Sequence, residues 1–354
     1  MDQRANRNSE PWVLERRWSH FPFVVCLCVS LLAVWVHTAA RTVRGQELSL
    51  EDSDAGYIDN AVVRNRVRFR FDSAYDNPFA DRAEFFYPTC GCFPGAPGPP
   101  QPESSVDYQE LEASLEYVWT VGTSAFVEFP VRFINPVAND NTAGLSDIRV
   151  GIKHALIEGP GQWLTFQLRA FAPTGDGDKG LGTAHPSLEP ALLFQRDTDR
   201  LSVFGEVRAW IPIDANKEEF PLSAALGGPG GTIRSYSGTI LRYGLGAGYD
   251  LSDSPNVDHP IVTTLVTELV GWTILDGLKE RTLTPFEPIE NPPGVLNPNF
   301  LEEYASARGD TIVNIKVGIR LSTSTDTLYV GYGHALTSDQ WYQNMLRVEY
   351  SYRY

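Results

Sequence analysis

The chain has 354 residues and is acidic, with 29 Lys and Arg residues against 44 Asp and Glu residues and a net charge of −15. This balance disfavours nucleic acid as a partner, because phosphates require a basic footprint on the protein. The length permits one or two domains.

The N-terminal region has the layout of a secretory signal peptide. Arg4, Arg7, Arg16 and Arg17 precede an apolar run over residues 21–36, and small residues follow at 38–40. The run is shorter than the roughly 20 apolar residues that a membrane-spanning helix needs, which argues against the alternative of a single membrane anchor. We predict a signal peptide over residues 1–45, with cleavage near residue 40 or 45, followed by a short periplasmic lead over residues 46–61.

Segments of about ten residues with alternating apolar and polar side chains recur from residue 62 onward, a pattern typical of strands. In the first, VRNRVRFRFDSAY, four arginines alternate with Val67, Phe69 and Phe71. In the second, YQELEASLEYVW, glutamates alternate with Leu111 and Leu115. The segments that follow are AFVEFPVRF, DIRVGIKHAL, WLTFQLRAFA, SLEPALLF, LSVFGEVRAWI, TILRYGLGAGY, IVTTLVTELVGW, TIVNIKVGIRL, TLYVGYGHAL and LRVEYSYRY. They predict about twelve antiparallel strands over residues 62–354.

The predicted connections alternate between short and long. The short ones fall near residues 120–124, 158–162, 197–200, 250–260 and 322–326, and the long ones near 76–105, 135–146, 173–186, 214–237, 276–310 and 337–343. Short turns at one rim and long loops at the other are typical of outer-membrane barrels. A soluble sandwich would distribute its long connections between both ends.

One face of the predicted strands is rich in ionic side chains, which we expect to line the lumen of the barrel. These are Arg64, Arg66, Arg68, Arg70, Glu110, Glu112, Glu116, Glu128, Arg132, Arg149, Lys153, Arg169, Glu206, Arg208, Arg242, Glu268, Lys316, Arg320, Arg347, Glu349 and Arg353. A dry core could not hold so many ions, because each costs several kcal/mol once water is removed. The sequence therefore predicts an all-β transmembrane barrel with a watery interior and an apolar, aromatic-edged face toward lipid.

The first two strands also suggest a register. If paired residue numbers sum to 180, Arg64 lies opposite Glu116, Arg68 opposite Glu112 and Arg70 opposite Glu110. Opposite charges directly across a ladder favour such a register by roughly 0.2–1 kcal/mol per pair. Other registers keep the same faces and remain alternatives.

Three stretches, GLSDIRVGIKHAL, LRAFAPTGDGDKGLG and SLEPALLF, together resemble the family of putative outer-membrane transporters named after the MetA pathway of phenol degradation. The similarity covers about 50 residues (144–194), in matching order and spacing. The resemblance implies a barrel that passes small, often aromatic or apolar compounds across the outer membrane. It implies no catalytic or ligand-binding residues. The long first loop, PTCGCFPGAPGPPQP, departs from the family pattern.

Three further motifs have competing interpretations. Cys90 and Cys92 lie in the proline-rich first loop, where a disulfide is favoured over a metal site because no further Cys or His is near. TGDGDKG resembles part of a calcium loop but lacks its distant glutamate, which favours a polar turn. His185 beside Ser187 is the nearest approach to a hydrolase site, but nothing else in the sequence supports catalysis.

These observations predict a porin-like, non-enzymatic channel in the bacterial outer membrane, without cofactor or metal, for passive passage of a small solute. Its expected partners are membrane lipid and lipopolysaccharide, and the barrel-insertion machinery acting through the C-terminal strand. A basic excess on the inner face favours anions, whereas the family resemblance implies apolar solutes. A structural or adhesive barrel and an outer-membrane hydrolase are the alternatives.

Overall fold

In the computed structural model the described residues are 56–78, 105–213, 219–220, 231–232, 237–252, 261–280 and 304–354. All of them belong to one unit, Gln46–Tyr354. The predicted signal peptide and the Cys90–Cys92 pair lie outside the described residues. Within the described ranges no helix has the length and apolar composition of a membrane span.

Twelve long strands form one antiparallel sheet, as the alternation predicted. In chain order they are β1 (Arg66–Asn77), β2 (Val106–Thr120), β3 (Thr123–Pro136), β4 (Ile148–Gly159), β5 (Gln162–Ala172), β6 (Ser187–Asp197), β7 (Leu201–Pro212), β8 (Ile240–Asp250), β9 (Val262–Ile274), β10 (Thr311–Ser322), β11 (Asp326–Ala335) and β12 (Asn344–Arg353). A short strand, Thr142–Leu145, adds to β3. The first strand begins at Arg66, four residues later than the predicted start of the barrel at residue 62.

The sheet closes on itself because β1 pairs with β2 on one side and with β12 on the other. At the closing seam Phe69 lies opposite Tyr350, and Arg70 lies opposite Glu349. Each remaining strand pairs with its neighbours in chain order. Closure leaves the twelve strands without a free sheet edge. The prediction of a closed antiparallel barrel is confirmed.

The two rims of the barrel differ in their connections. At the short-turn rim the strands are joined by residues 121–122, 160–161, 198–200, 251–261 and 323–325. Gly122 and Gly161 adopt φ values of 70° and 65°, the left-handed region that tight two-residue turns require. At the long-loop rim the connections are residues 78–105, 137–147, 173–186, 213–239, 275–310 and 336–343.

The described parts of the long loops contain small elements. The segment TGDGDKG forms a single turn of 3-10 helix, Gly177–Lys179, in which Lys179 pairs with Asp176 at 2.9 Å. Two short ladders join Glu219–Phe220 to Gly231–Thr232 and Leu278–Glu280 to Tyr304–Ser306. The TGDGDKG segment is therefore a polar turn closed by its own ion pair.

The two faces of the wall have opposite chemistry. Large apolar side chains are exposed on the outer face, including Leu111, Leu115, Phe129, Val150, Leu192, Leu245, Leu269, Val317 and Val330. The inner face carries the ionic residues, most of which are buried. Because strand side chains alternate, each strand contributes to both faces.

Glycines on the inner face make room for aromatic rings that lie along the wall. The ring of Tyr329 occupies the space that a Cβ would take at Gly318 and Gly331, and Phe204 does the same at Gly246. Gly246 belongs to the sequence GLGAGY, so these glycines serve packing inside a strand.

This packing predicts that Gly331→Val lowers the free energy of unfolding by about 1–3 kcal/mol, because the new side chain overlaps the Tyr329 ring. The measurement is denaturant unfolding of the refolded barrel in detergent. Gly333→Ala, two residues along the same face, is the control, because its Cβ would meet the flexible Lys316 side chain at 3.3 Å and the Tyr57 hydroxyl at an ordinary contact distance of 3.7 Å. Equal unfolding midpoints for the two variants would contradict the packing role.

Candidate functional site

A segment of the chain itself occupies the barrel interior. Residues 56–61, which we call the lumen segment, precede β1 and hydrogen-bond to inward-facing side chains of β4, β5, β7, β8, β9 and β12. Tyr57 and Ile58 are each 3% exposed. These residues were predicted to form the end of a periplasmic lead, whereas the structure places residues 56–61 inside the barrel. Residues 46–55 lie outside the described ranges.

Carboxylates of the wall hold the backbone amides of the lumen segment. The Glu268 carboxylate accepts hydrogen bonds from the amides of Tyr57 at 3.0 Å and Ile58 at 2.9 Å. The Glu206 carboxylate accepts from the amide of Asp59 at 3.1 Å. These acceptors replace the ladder partners that a strand would have, since a buried backbone donor needs a partner.

Cationic side chains hold the carbonyls of the same segment. Arg347 donates to the carbonyl of residue 56 at 2.7 Å, and Arg242 donates to that of residue 57 at 2.6 Å. Lys153 donates to the carbonyl of residue 60 at 3.1 Å. The Thr165 hydroxyl donates to the carbonyl of residue 61. The wall therefore binds the lumen segment along its whole length.

The Asp59 side chain is bound by a second set of donors. Its Oδ2 accepts from the Nη2 of Arg169 at 2.7 Å and from the Nη2 of Arg208 at 2.8 Å. The amide of Gln167 donates to the same oxygen at 3.2 Å. The Nη1 atoms of both arginines donate to Oε1 of Glu189, at 2.6 and 2.8 Å. We call Arg169, Arg208 and Gln167 the carboxylate clamp.

The Tyr57 ring is surrounded by cations and aromatic rings. The Lys316 Nζ lies 3.5 Å from the ring centroid and the Arg347 guanidinium carbon 4.0 Å from it, both within cation–π range. Tyr329 meets the same ring edge-on at 6.4 Å. Lys316 also lies 5.4 Å from the centroid of Trp272. Aromatic faces thus partly balance the buried charge of Lys316.

Elsewhere in the lumen, ion pairs link the four consecutive strands β1, β2, β3 and β4. The Glu112 carboxylate lies 3.1 Å from Arg68, 2.6 Å from Arg70 and 2.7 Å from Arg149. Glu110 binds Arg132 at 2.8 Å and Arg149 at 3.3 Å. Glu116 lies 3.0 Å from Arg66 and 3.2 Å from Lys153. Each carboxylate is shared by cations from different strands.

The predicted β1–β2 register is wrong by two residues, although its faces are right. Arg66 lies opposite Glu116 and Arg70 opposite Glu112, so paired numbers sum to 182. Asp72 therefore lies opposite Glu110, which places two negative charges across the ladder. Cations from other strands compensate these charges. Asp72 binds Arg347 of β12 at 2.6 and 2.7 Å. Pairwise charge matching failed to predict the register because partners come from several strands.

All the predicted lumen residues are buried or half-buried in the structure. Arg64, Arg70, Arg149, Arg242 and Arg353 are half-buried, and Arg66, Arg68, Glu110, Glu112, Glu116, Glu128, Arg132, Lys153, Arg169, Glu206, Arg208, Glu268, Lys316, Arg320, Arg347 and Glu349 are buried. Arg64 precedes β1 rather than lying within it. Glu128 joins Arg68 and Arg169, each at 3.2 Å. Among the described residues, the Glu349 carboxylate oxygens have no hydrogen-bond partner.

The sequence reasoning missed several members of the site. Asp72 and Glu189 continue the alternation of the inward face, so the pattern itself could have identified them. Tyr57 and Asp59 lie in a segment without strand periodicity, and no local signal marks them. Their roles follow only from the wall residues that surround them.

An apolar layer fills the lumen near the long-loop rim. It is formed by inward side chains at the strand ends and by Trp341 and Tyr342 of the β11–β12 loop, and its members include Tyr108, Ile134, Trp210, Ile240, Trp272, Ile274, Ile312 and Met345. Trp341 is completely buried. Burial raises the pKa of Tyr342 to about 12, so its hydroxyl is neutral at physiological pH. The lumen is thus apolar near one rim and ionic near its middle.

A small cavity with room for about one water molecule adjoins the clamp. Its lining includes Asp59, Gln167 and Arg169 on the clamp side. The rest of the lining is formed by Arg66, Arg68, Ser114, Glu116, Phe126, Glu128 and Lys153. The cavity therefore contacts both the lumen segment and the charged wall of β1 to β5.

His185 lies in the long-loop region, where its ring contacts residues of two loops. Its Nε2 lies 2.8 Å from the Ser237 hydroxyl, and its Nδ1 lies 3.2 Å from the Pro186 carbonyl and 3.3 Å from the Ser187 hydroxyl. The nearby Asp147 carboxylate instead accepts from the amide and hydroxyl of Thr183. The contacts of His185 join two long loops. Within the described ranges no three His, Cys, Asp or Glu side chains form a group that could hold a metal.

Comparisons with known proteins support the fold. No family model and no curated protein matches the sequence, so membership of the MetA-pathway family stays a prediction. The COG4313 outer membrane channel from Pseudomonas putida F1 aligns over 86% of this chain and all of its own, with 14% identity and a TM-score of 0.52. The beta domain of the Bordetella autotransporter BrkA (82% and 100% covered, 13% identity, TM-score 0.46) and the KdgM porin in complex with disordered oligogalacturonate (82% and 99%, 11%, 0.38) are less similar. The first of these alignments indicates an outer-membrane barrel fold.

The shared ion pairs predict that Glu112→Lys sharply lowers the yield of folded barrel. The substitution removes an acceptor used by Arg68, Arg70 and Arg149 and adds a cation among them, and breaking a buried ion pair costs about 3–5 kcal/mol. The folded fraction is read from the mobility shift between heated and unheated samples on gels. Glu158→Lys, an exposed position near the short-turn rim, is the control and should fold normally. Equal yields would show that the lumen tolerates an unmatched charge.

The burial of His185 predicts a dependence of stability on pH. Burial lowers the pKa of His185, so the folded protein binds this proton less readily than the unfolded chain, whose His pKa is about 6.5. Stability is therefore greatest above pH 6.5 and falls as the pH drops through the lowered value. We expect the thermal midpoint to fall between pH 7.5 and 5, and to fall less in His185→Gln. An identical fall in both proteins would exclude His185 as a contributor.

Proposed function

We propose that this protein is an outer-membrane channel for small solutes and that the lumen segment closes it in the state described. The observation that carries the proposal is a closed barrel with a charged interior in which non-covalent contacts alone hold a piece of the same chain. Water or solute can replace such contacts. A segment joined to β1 by residues 62–65 is a removable obstruction.

The location follows from the chemistry of the two faces. An exposed apolar band around a closed cylinder suits a lipid environment, and the ionic side chains are confined to the inner face. The predicted signal peptide would direct the chain through the inner membrane. The aromatic C-terminal strand would then engage the barrel-insertion machinery, and lipid and lipopolysaccharide would surround the outer face.

A channel accounts for the lumen segment better than the two alternatives. An adhesive or structural barrel does not require a replaceable occupant, whereas the lumen segment is held by hydrogen bonds that water or a solute can replace. A hydrolase of this kind needs a Ser–His pair whose imidazole is oriented by a carboxylate. The His185 ring contacts the Ser237 and Ser187 hydroxyls, but its Nδ1 faces the Pro186 carbonyl, and the nearby Asp147 carboxylate binds Thr183 instead. The similarity to an outer-membrane channel is consistent with the proposal.

Single-channel recording in planar bilayers tests this function. Asp59→Asn removes the charge that binds Arg169 and Arg208 while keeping the size of the side chain. A hydrogen bond to a charged group contributes about 1.5–3 kcal/mol, so we expect the open probability to rise about tenfold or more. Wild-type protein should show rare or brief openings.

Asp199→Asn, an exposed position in the β6–β7 turn, is the matched control and should behave as wild type. Folding of each variant is checked by gel mobility. A correctly folded Asp59→Asn barrel that is as silent as wild type would refute closure by the lumen segment.

A further inference from the structure

We propose that the carboxylate clamp is the binding site for the permeating solute and that this solute is a small organic carboxylate, which competes with the Asp59 side chain. The inference rests on the proposed function and adds the chemical class of the solute. In the closed state the lumen segment occupies this site with its own carboxylate.

The geometry of the clamp selects one carboxylate. The Nη1 atoms of Arg169 and Arg208 already bind Glu189, which fixes the planes of both guanidinium groups. Their Nη2 atoms and the Gln167 amide converge on one Asp59 oxygen. These are charge-assisted donors, the strongest class of protein hydrogen bond, and they are preorganised by the wall.

The charge balance favours a monoanion. Arg169, Arg208 and Arg242 are linked by ion pairs to Glu189 and Glu206, which leaves one positive charge in excess before Asp59 is counted. A carboxylate neutralises this excess. A cation would increase it, and a doubly charged phosphate would overcompensate it.

The adjoining cavity joins the volume that the lumen segment leaves on withdrawal, and together they provide space for the rest of the solute. In the closed state the cavity has room for about one water molecule, and Gln167 and Arg169 of the clamp line it beside Asp59. Its lining holds four cations (Arg66, Arg68, Lys153, Arg169) against three acids (Asp59, Glu116, Glu128). Withdrawal of Asp59 leaves two acids, so the site becomes more attractive to an anion as it becomes vacant. Phe126, whose ring lies 5.5 Å from the Arg169 guanidinium carbon, supplies an apolar contact.

This arrangement reconciles two opposing indications of the sequence. A basic inner face favours anions, whereas the family resemblance implies apolar solutes. A carboxylate with an apolar body can place its charged end in the clamp and its apolar end against Phe126.

Calorimetric titration of the detergent-solubilised protein tests the proposal with benzoate as the probe and benzamide as its neutral isostere. Asp59→Ala vacates the clamp, so we expect it to bind benzoate at least tenfold more tightly than wild type does, and at least tenfold more tightly than it binds benzamide. Adding Arg208→Gln should weaken benzoate binding about tenfold. Adding Arg196→Gln, an exposed position at the end of β6, should leave it unchanged.

Bilayer recordings on the same variants separate this proposal from the proposed function. If Asp59→Ala conducts but binds benzoate and benzamide equally, the carboxylate site is refuted and the channel stands. If it binds benzoate selectively but never conducts, the channel is refuted together with the role of the clamp in permeation, and carboxylate binding by the clamp alone stands. The more conservative Asp59→Asn is titrated in parallel, and failure of both folded variants to prefer benzoate over benzamide overturns the inference.

Discussion

Charge compensation inside a closed wall is the constraint on which the rest of this structure depends. The barrel encloses more than twenty ionic side chains, and an isolated ion removed from water costs several kcal/mol. The structure meets this cost by sharing: Glu112 serves three arginines from two strands, and Glu110 serves Arg132 and Arg149. Neighbouring strands share it, because the inward charges of β2 are all negative and those of β1 are positive except at Asp72.

The lumen segment is part of the same compensation. Asp59 supplies the negative charge that Arg169 and Arg208 lack, and the backbone of residues 56–60 occupies donors and acceptors of the wall. Opening such a lumen therefore requires a substitute for each contact. Water can replace the hydrogen bonds between the wall and the backbone groups of the lumen segment. For the clamp, a soluble anion is a closer replacement than water, which couples opening to the presence of solute.

The lumen has an apolar zone and an ionic zone, and a solute that crosses it must interact with both. The long-loop end is lined by aromatic and aliphatic side chains, and Trp341 and Tyr342 close over it. The ionic zone follows, with the clamp and its cavity beside the lumen segment. A purely apolar molecule would partition into the first zone and meet a desolvation barrier in the second. A molecule with one charged end can interact favourably with both.

The sequence by itself determined the strands, their two faces and the asymmetry of the rims. Alternation has a period of two residues, so LRVEYSYRY and its counterparts reveal which side chains share a face without reference to any partner. Glycine and proline content likewise separated long loops from tight turns. These are local properties, and the structure agrees with them from β1 to β12.

Only the tertiary structure decided the register, the occupant of the lumen and the site. The β1–β2 register differs by two residues from the one that pairwise charges favoured, because Asp72 finds Arg347 across the closing seam. The lumen segment has no periodicity, and its partners lie up to 291 residues away in sequence. Asp59 becomes recognisable only when Arg169 and Arg208 are brought to the same point. Closure of the sheet is the physical reason, since it alone places strands distant in sequence around one small volume from which water is largely excluded.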